Sequence, residues 1–244
     1  MNLAATPQRT APQRELTRPS IAPVPMPSLD VPTIEYPDIS HKGASLAQIG
    51  EPPTPDSDRA VRDMRITRSL VSQRTHEGNV WARDLDLHGT TTVWKELASQ
   101  VSGDAATTQA VLGAALSAAS VQGGVGKKQW MRERPFQVDP SIDVIGRTPK
   151  HADSSYPSIH SARAFAAARV LSVLDPTVTD AAYSMANEVA LSRIYAGVHF
   201  VSDTLAGARL GTYLAEKTLD RWRAGKLPIG PNSTETVAPP SAAA

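Results

Sequence analysis

The chain has 244 residues, with 25 basic and 24 acidic side chains, a formal net charge of +1, and no cysteine. The absence of cysteine excludes disulfides, thiolate metal sites and a cysteine nucleophile. The balanced charge, without a basic run interleaved with aromatics, argues against a nucleic-acid partner. No apolar run approaches the length of about 18 residues that a membrane span needs, and no secretory signal is recognisable. We therefore expect a soluble, cytoplasmic protein.

The N-terminal part of the chain differs in composition from the rest. Of the 20 prolines, 11 lie within residues 1–57, a stretch with few large apolar residues. Such a segment buries too little surface to offset its ordering entropy, so we expect a flexible, proline-rich tail. Residues 227–244 are similarly rich in Pro, Ser, Thr and Ala and predict a second flexible tail. Residues 58–226 are long enough for one domain with one core.

Helical periodicity begins at Asp58, which can cap a first helix that runs to about Arg74. Two shorter apolar segments around Trp81 and Trp94 predict two further helices. Asp104 is a good N-cap for a long helix of small residues, whose alanines permit close approach of neighbouring helices. The first half of the domain is therefore predicted to be helical.

The second half of the domain opens with a long loop. Gly123, Gly124 and Gly126 are predicted to loosen the chain, and breakers at four positions mark a loop over 136–156. Loops of this length inside a compact domain are usually functional.

Three further helices are predicted after this loop, over about 158–174, 179–196 and 199–223. Strand-like alternation is nowhere sustained. We predict an all-α fold, a single-domain helical bundle with its active site at helix ends.

The last of three polar clusters contains His199 and Asp203, four residues apart and within reach on one helix turn. A carboxylate bonded to one imidazole nitrogen fixes the tautomer and leaves the other nitrogen free to attack. An ordinary exposed ion pair fits the same spacing, and so does a metal site, although no third ligand cluster is visible. Gly197 permits a sharp return that would bring Arg193 beside His199.

The middle cluster is Pro157-Ser158-Ile159-His160, at the start of a predicted helix. The amides of a helix N-terminus form a natural anion site, although capping alone would also explain Ser158. Capping does not explain His160, because positive charge is disfavoured in a first turn. A histidine beside a bound dianion can instead donate its proton to a departing alkoxide.

The first cluster supplies Lys127 and Arg134, with Lys128 and Arg132 nearby. Arg134-Pro135 is predicted to end a helix before the long loop, where the bidentate fork of the arginine could face a phosphate. A solvated basic face is the simpler interpretation of Lys128 and Arg132. Together the clusters offer cations, a hydroxyl, two histidines and a carboxylate, which is what phosphate hydrolysis requires.

In this order, the clusters resemble the signature of the type 2 phosphatidic acid phosphatase and vanadium haloperoxidase superfamily. That signature reads Lys-x6-Arg-Pro, Pro-Ser-x-His and Ser-Arg-x5-His-x3-Asp. The stretches 131–136, 155–158 and 197–203 are most similar to bacterial class A nonspecific acid phosphatases. The resemblance covers about residues 105–215. It implies roles for eight positions: His199 as nucleophile, Asp203 as its orienting carboxylate, His160 as general acid, and Lys127, Arg134, Arg193, Ser158 and the Ile159 amide as phosphate ligands.

One position departs from the family pattern, because Ile159 stands where the family has glycine. Its amide can donate the same hydrogen bond, but its side chain must point away or narrow the pocket. The resemblance implies a metal-independent phosphatase that takes small phosphate monoesters, forms a phosphohistidine and needs no cofactor. Vanadate is expected to inhibit.

The sequence is compatible with three alternatives. A vanadium-dependent haloperoxidase would keep vanadate as a prosthetic group, although the core is short for one. A soluble lipid or isoprenoid diphosphate phosphatase would use the same residues on an amphiphilic substrate. A binding module that retains only phosphate affinity finds its sole support in Ile159.

Overall fold

The computed structural model describes residues 12–30, 45–146, 153–228 and 236–237. Most of them lie in helices, namely α1 (Asp58–Ser72), α2 (His76–His88), α3 (Thr92–Ala98), α4 (Ala105–Trp130), α5 (Pro135–Val138), α6 (Ile159–Leu174), α7 (Thr179–Tyr195) and α8 (Val201–Arg223). Short 3-10 helices occupy Ser45–Gln48 and Pro176–Val178. After α8, β1 (Leu227–Pro228) pairs antiparallel with β2 (Thr236–Val237). The predicted all-α fold is confirmed.

Helix α6 is the centre of the bundle and packs against α4, α7 and α8. Most of its buried residues are small, and Gly207 and Gly211 of α8 lie directly against its backbone. A methyl group at Gly207 would collide with Ser158 and Ser161, so these glycines set the close approach of the two helices. As a result the N-termini of α6 and α8 are adjacent, and the Ser158 amide donates to the Asp203 carbonyl at 3.0 Å.

The loosening of the chain predicted at the glycines of α4 is not observed. The helix continues through Gly123 and Gly126 to Trp130 and ends at Met131, whose φ is 46°. These glycines make room for the start of α6, since a methyl group at Gly126 would lie 2.8 Å from Pro157. Arg134 consequently does not end this helix, and it stands at the N-cap of α5 instead.

Most other helix boundaries agree with the caps in the sequence. Ser158 caps α6 as predicted, and Gly197 follows α7 with a φ of 75°. The cap of α1 is one residue earlier than predicted, because the Ser57 side chain accepts from the Ala60 amide and Asp58 is the first residue of the helix. The start of α8 was placed too early, because His199 precedes it and Phe200 is its N-cap. The pairing of His199 with Asp203 therefore comes from the turn that enters α8, not from one face of a helix.

Residues 12–30 make specific contacts with the helical domain, which corrects the expectation of a flexible tail for this part. Arg18 forms two hydrogen bonds to Glu188, at 3.0 and 2.8 Å, and Trp81 donates to the same carboxylate at 3.1 Å. Ala22 is 1% exposed. Composition missed these contacts because the segment has few large apolar residues, and those it has pack against the core of the helical domain.

The structure describes only some of the other residues in the two predicted tails. Ile49 is buried, and its carbonyl accepts a hydrogen bond from the Tyr156 hydroxyl at 2.9 Å. Residues 1–11, 31–44, 229–235 and 238–244 lie outside the described residues. Within the part that is described, none of the helices has both the length and the apolar character for crossing a membrane.

Candidate active site

The three polar clusters converge where the N-termini of α6 and α8 meet the C-terminal ends of α4 and α7. All eight predicted site residues lie in this region. Seven of them are joined through direct contacts or through the shared carboxylates of Asp86 and Asp153, and Ile159 lies between Ser158 and His160 at the start of α6.

His199 and Asp203 form the buried centre of the site. His199 is 4% exposed, and its Nδ1 atom lies 3.4 Å from Oδ2 of Asp203. Its Nε2 atom faces Nη1 of Arg134, also at 3.4 Å. Burial, together with the charge of Arg134, lowers the pKa of His199 to about 3. The imidazole is therefore neutral near pH 7, with one nitrogen on a carboxylate and the other toward cations.

The Asp203 carboxylate is held from several sides. Its Oδ1 atom lies 2.7 Å from Nη1 of Arg132, and its Oδ2 atom accepts from the Phe200 amide at 2.7 Å and from the Ser155 hydroxyl. Burial alone would raise the pKa of Asp203, but the charge of Arg132 and the hydrogen bonds from His199 and Ser155 outweigh it and keep this pKa below its ordinary value. Asp203 is therefore a fixed, ionised acceptor.

Arg132 was expected on a solvated basic face, and the structure corrects this. Its guanidinium carbon lies 4.3 Å from the centre of the Phe200 ring, and Nη2 lies 3.2 Å from Oδ2 of Asp63 in α1. Asp63 also accepts from the Ser202 hydroxyl, and burial raises its pKa despite these partners. Arg132 thus bridges two buried carboxylates and is part of the site's framework.

Lys127 and Arg134 lie side by side near the loop before α6. Arg134 is 3% exposed and donates to the backbone carbonyls of Val198 at 2.7 Å, Asp153 at 3.0 Å and Ser154 at 3.1 Å. Lys127 also donates to the Ser154 carbonyl. Burial and the neighbouring charge of Arg134 lower the pKa of Lys127 to about 8. Both groups are cationic near pH 7, and Lys127 loses its charge as the pH rises through about 8.

Arg193 carries the strongest structural indication of an anion site. Its Nη2 atom lies 2.8 Å from Oδ1 of Asp86, while its buried Nε and Nη1 atoms have no hydrogen-bond partner. Buried guanidinium N–H groups without acceptors are costly. An oxyanion beside His199 would provide those acceptors, so phosphate and vanadate both fit the donors present here.

His160 lies on the other side of the Asp86 carboxylate. Its Nε2 atom is 3.2 Å from the Asp86 carbonyl oxygen and 3.9 Å from Oδ1 of the same residue. Burial and the charge of Arg193 lower the pKa of His160 well below its ordinary value. In the unliganded protein His160 is therefore neutral near pH 7.

Ser158 and Ile159 form the start of α6. The Ser158 hydroxyl accepts from the Ser161 amide at 3.3 Å and from the Ser161 hydroxyl at 3.2 Å, as an N-cap does. The Ile159 side chain points toward α4, where a methyl group on Gly123 would come within 2.8 Å of its Cγ1 atom. The isoleucine is therefore accommodated by a glycine in the neighbouring helix.

Sequence reasoning missed four residues of this region: Asp63, Asp86, Arg132 and Asp153. A signal existed for two of them, because Asp63 and Asp86 lie among the buried residues of α1 and α2. A carboxylate in an apolar stripe needs a buried partner. The spacing of the sequence did not reveal which arginine that partner was.

A separate groove of about 1020 Å³ lies between α1, the end of α4 and residues 51–55. Its wall is largely apolar and includes Val61, Met64, Trp130 and Met131. It shares Arg132 and Phe200 with the framework behind Asp203. Among the described residues, no cluster of three or more His, Asp or Glu side chains could hold a metal ion.

Comparison with known proteins agrees with this arrangement. The family model of the PAP2 superfamily matches residues 106–219, a range that contains all eight predicted site residues. This match supports a relationship between residues 106–219 and the PAP2 superfamily. No curated protein matches the sequence.

Two solved structures have a fold similar to that of this chain. One is a transmembrane PAP2-type phosphatidylglycerolphosphate phosphatase from Bacillus subtilis, with 23% identity and a TM-score of 0.52, covering 68% of this chain and 87% of its own. The other is LpxE from Aquifex aeolicus, with 24% identity and a TM-score of 0.57, covering 65% of this chain and 95% of its own. At these identities the likeness concerns the fold.

Proposed function

We propose that this protein is a phosphatase that hydrolyses phosphate monoesters without a metal ion, through a phosphohistidine on His199. The observation that carries the proposal is the position of His199 between Asp203 on Nδ1 and the cationic side of the site on Nε2. The PAP2 match supports phosphatase chemistry in general, and one protein of similar fold is described as a phosphatase. The similarity to class A acid phosphatases stays a prediction.

In the first step, Lys127, Arg134 and Arg193 hold the phosphate dianion, with the Ser158 hydroxyl and the Ile159 amide as further donors. Nε2 of neutral His199 attacks phosphorus, and the bond from phosphorus to the ester oxygen breaks. The Nδ1 proton stays on the side of Asp203, whose negative charge stabilises the imidazolium that forms. The cations stabilise the charge that develops on the phosphoryl oxygens.

The departing oxygen needs a proton, and we assign its delivery to His160. This histidine is neutral in the unliganded protein, because burial and Arg193 lower its pKa. The negative charge of a bound dianion raises the pKa of His160, so that substrate binding favours protonation of this histidine. His160 would then donate this proton to the leaving alkoxide and become neutral again.

In the second step, neutral His160 accepts a proton from a water molecule whose oxygen attacks phosphorus. The bond between His199 and phosphorus breaks, and inorganic phosphate leaves. The pKa of His160 then falls again, so that it releases the proton to solvent and both histidines return to their neutral state. No metal or organic cofactor enters these steps. Vanadate, which can adopt the trigonal bipyramidal geometry of the transition state, is expected to bind the same donors and inhibit.

A second candidate substrate is an amphiphilic phosphate ester, as in the lipid or isoprenoid alternative. The apolar groove bounded by Arg132 and Phe200 favours it, because an alkyl chain would find an apolar wall there, next to the residues that hold Asp203 and not within the phosphate cradle itself. The haloperoxidase would use vanadate in the same cradle and differs by requiring peroxide and halide. The soluble, cytoplasmic character expected from the sequence stays a prediction.

Trapping the covalent intermediate tests the proposed function. The enzyme is first incubated with a labelled phosphate monoester and then quenched without acid. It should carry about one acid-labile, alkali-stable phosphoryl group per chain. His199→Ala should give none, and His76→Ala, which removes an exposed histidine, should resemble the wild type. Labelling that persists in His199→Ala would overturn the assignment.

A further inference from the structure

Two cations of the proposed cradle already hold a carboxylate from the chain itself. Oδ2 of Asp153 lies 2.9 Å from Nη2 of Arg134, and Oδ1 lies 3.4 Å from Nζ of Lys127. The side chains of Arg134 and Lys127 are 3% and 13% exposed, whereas that of Asp153 is 44% exposed. A half-exposed carboxylate thus reaches two buried cations from the solvent side.

This carboxylate contact is the exchangeable one. Arg134 also binds the backbone carbonyls of Val198, Asp153 and Ser154, and those bonds tie the loop before α6 to the bundle. Carboxylate and phosphate oxygens use the same arginine donors in the same planar geometry. A phosphate oxygen that reaches Nη2 of Arg134 therefore competes with the Asp153 side chain, while the backbone bonds can remain.

Charge favours this exchange for a dianion. Arg132 pairs with Asp203, Arg193 pairs with Asp86, and Asp153 neutralises part of the remaining positive charge. When the Asp153 side chain turns into solvent, Lys127 and Arg134 face the incoming group without a counterion. Because Asp153 is already half exposed, its carboxylate recovers hydration at little cost. A monoanion gains little from replacing one negative charge by another.

We propose that Asp153 is a resident competitor for the phosphate cradle, a specificity-determining residue that a phosphate dianion must displace from Lys127 and Arg134. The proposal rests on the phosphatase function proposed above. It assigns to the loop before α6 a direct effect on substrate and product affinity. If Asp153 were instead a permanent structural acceptor, its removal would weaken phosphate binding, because Arg134 would lose its orientation.

Calorimetric titration of the full chain with inorganic phosphate tests this. Asp153→Asn and Asp153→Ala should bind phosphate about two- to fivefold more tightly than the wild type, which is the upper part of the range for an exposed ion pair. Glu133→Gln is the matched control, because Glu133 is exposed, adjoins Arg134 and forms no ion pair within the described residues. It should bind as the wild type does. Unchanged or weaker phosphate binding in both Asp153 variants would overturn the proposal.

Steady-state kinetics provides the second readout. In Asp153→Asn the KM for p-nitrophenyl phosphate should fall, and inhibition by inorganic phosphate should strengthen, by the same factor. The effect should lie in KM rather than in kcat. Phosphate binding without turnover in the wild type would overturn the proposed function and leave this inference standing. Turnover with unaltered phosphate affinity in the Asp153 variants would support the proposed function and overturn this inference. If none of the proteins bound phosphate, both the function and the inference would be overturned.

Discussion

Nη1 of Arg132 lies 2.7 Å from Oδ1 of Asp203, so the carboxylate that faces His199 is itself fixed by a buried arginine. On its other side Arg132 contacts Asp63 of α1, a helix outside the range that matches the PAP2 model. The site therefore depends on a part of the chain that precedes its family motifs.

Replacing Arg132 tests this dependence. Arg132→Met should lower the free energy of unfolding by about 3–5 kcal/mol, because two buried carboxylates lose their shared partner. It should also lower kcat by about 10²-fold, since Asp203 no longer holds His199 in place. Chemical denaturation and steady-state kinetics measure the two effects.

Further variants separate the structural part of this effect from the positional part. Arg132→Met/Asp63→Asn should regain some stability but not kcat, and Arg132→Lys should regain some of both. Lys128→Met, which removes an exposed cation nearby, should change neither. A double variant with wild-type kcat would show that Arg132 does not position Asp203.

The role of His160 predicts a dependence on the leaving group. His160→Ala should reduce kcat/KM by about 10²- to 10⁴-fold for alkyl phosphates and much less for p-nitrophenyl phosphate, whose leaving group needs no proton. A series of phenyl phosphates of graded leaving-group pKa measures this slope. Equal losses across the series would contradict the general-acid assignment.

Lys127 predicts an alkaline limit to activity. Its pKa is lowered to about 8 by burial and by Arg134. The charged form is present below this value and is lost as the pH rises through it, so kcat/KM should decline above about pH 8. Lys127→Arg should keep its charge and lose this limb, although at lower overall activity. The same limb in both proteins would assign it to another group.

The N-terminal segment predicts a stability effect. Deleting residues 1–30 removes the two bonds from Arg18 to Glu188 and the buried Ala22. The melting temperature should fall by about 5 °C or more, because 1 kcal/mol corresponds to roughly 2–4 °C in a chain of this size. In the full chain, Arg18→Ala should reproduce part of the loss and Glu15→Gln, on an exposed residue, none. An unchanged melting temperature would show that this segment adds nothing to the fold.

Much of the fold could be predicted because its signals are local. Asp104, Ser158 and Gly197 lie at helix ends, and capping preferences involve only a few neighbouring residues. The prediction at Gly123 was wrong because the structural requirement for a glycine at this position is not local. Its missing side chain accommodates Ile159, which is 36 positions later in the chain and which only the packing of α4 on α6 brings close.

The candidate site likewise has a part that could be predicted from local sequence and a part that could not. The positions of the predicted residues follow from three short motifs, and the structure brings those motifs together. The counter-charges could not be predicted in this way, since Asp63, Asp86 and Asp153 pair with partners on other elements. Composition also failed for residues 12–30, because Arg18 and Ala22 are ordered by a surface that the rest of the chain supplies.

The most direct test of the central claim is hydrolysis of p-nitrophenyl phosphate between pH 4 and 8, with EDTA present, with and without vanadate. The proposed mechanism predicts turnover that resists the chelator, is suppressed by vanadate and disappears in His199→Ala. Turnover that EDTA abolishes, or that survives in His199→Ala, would contradict a metal-free reaction through a phosphohistidine.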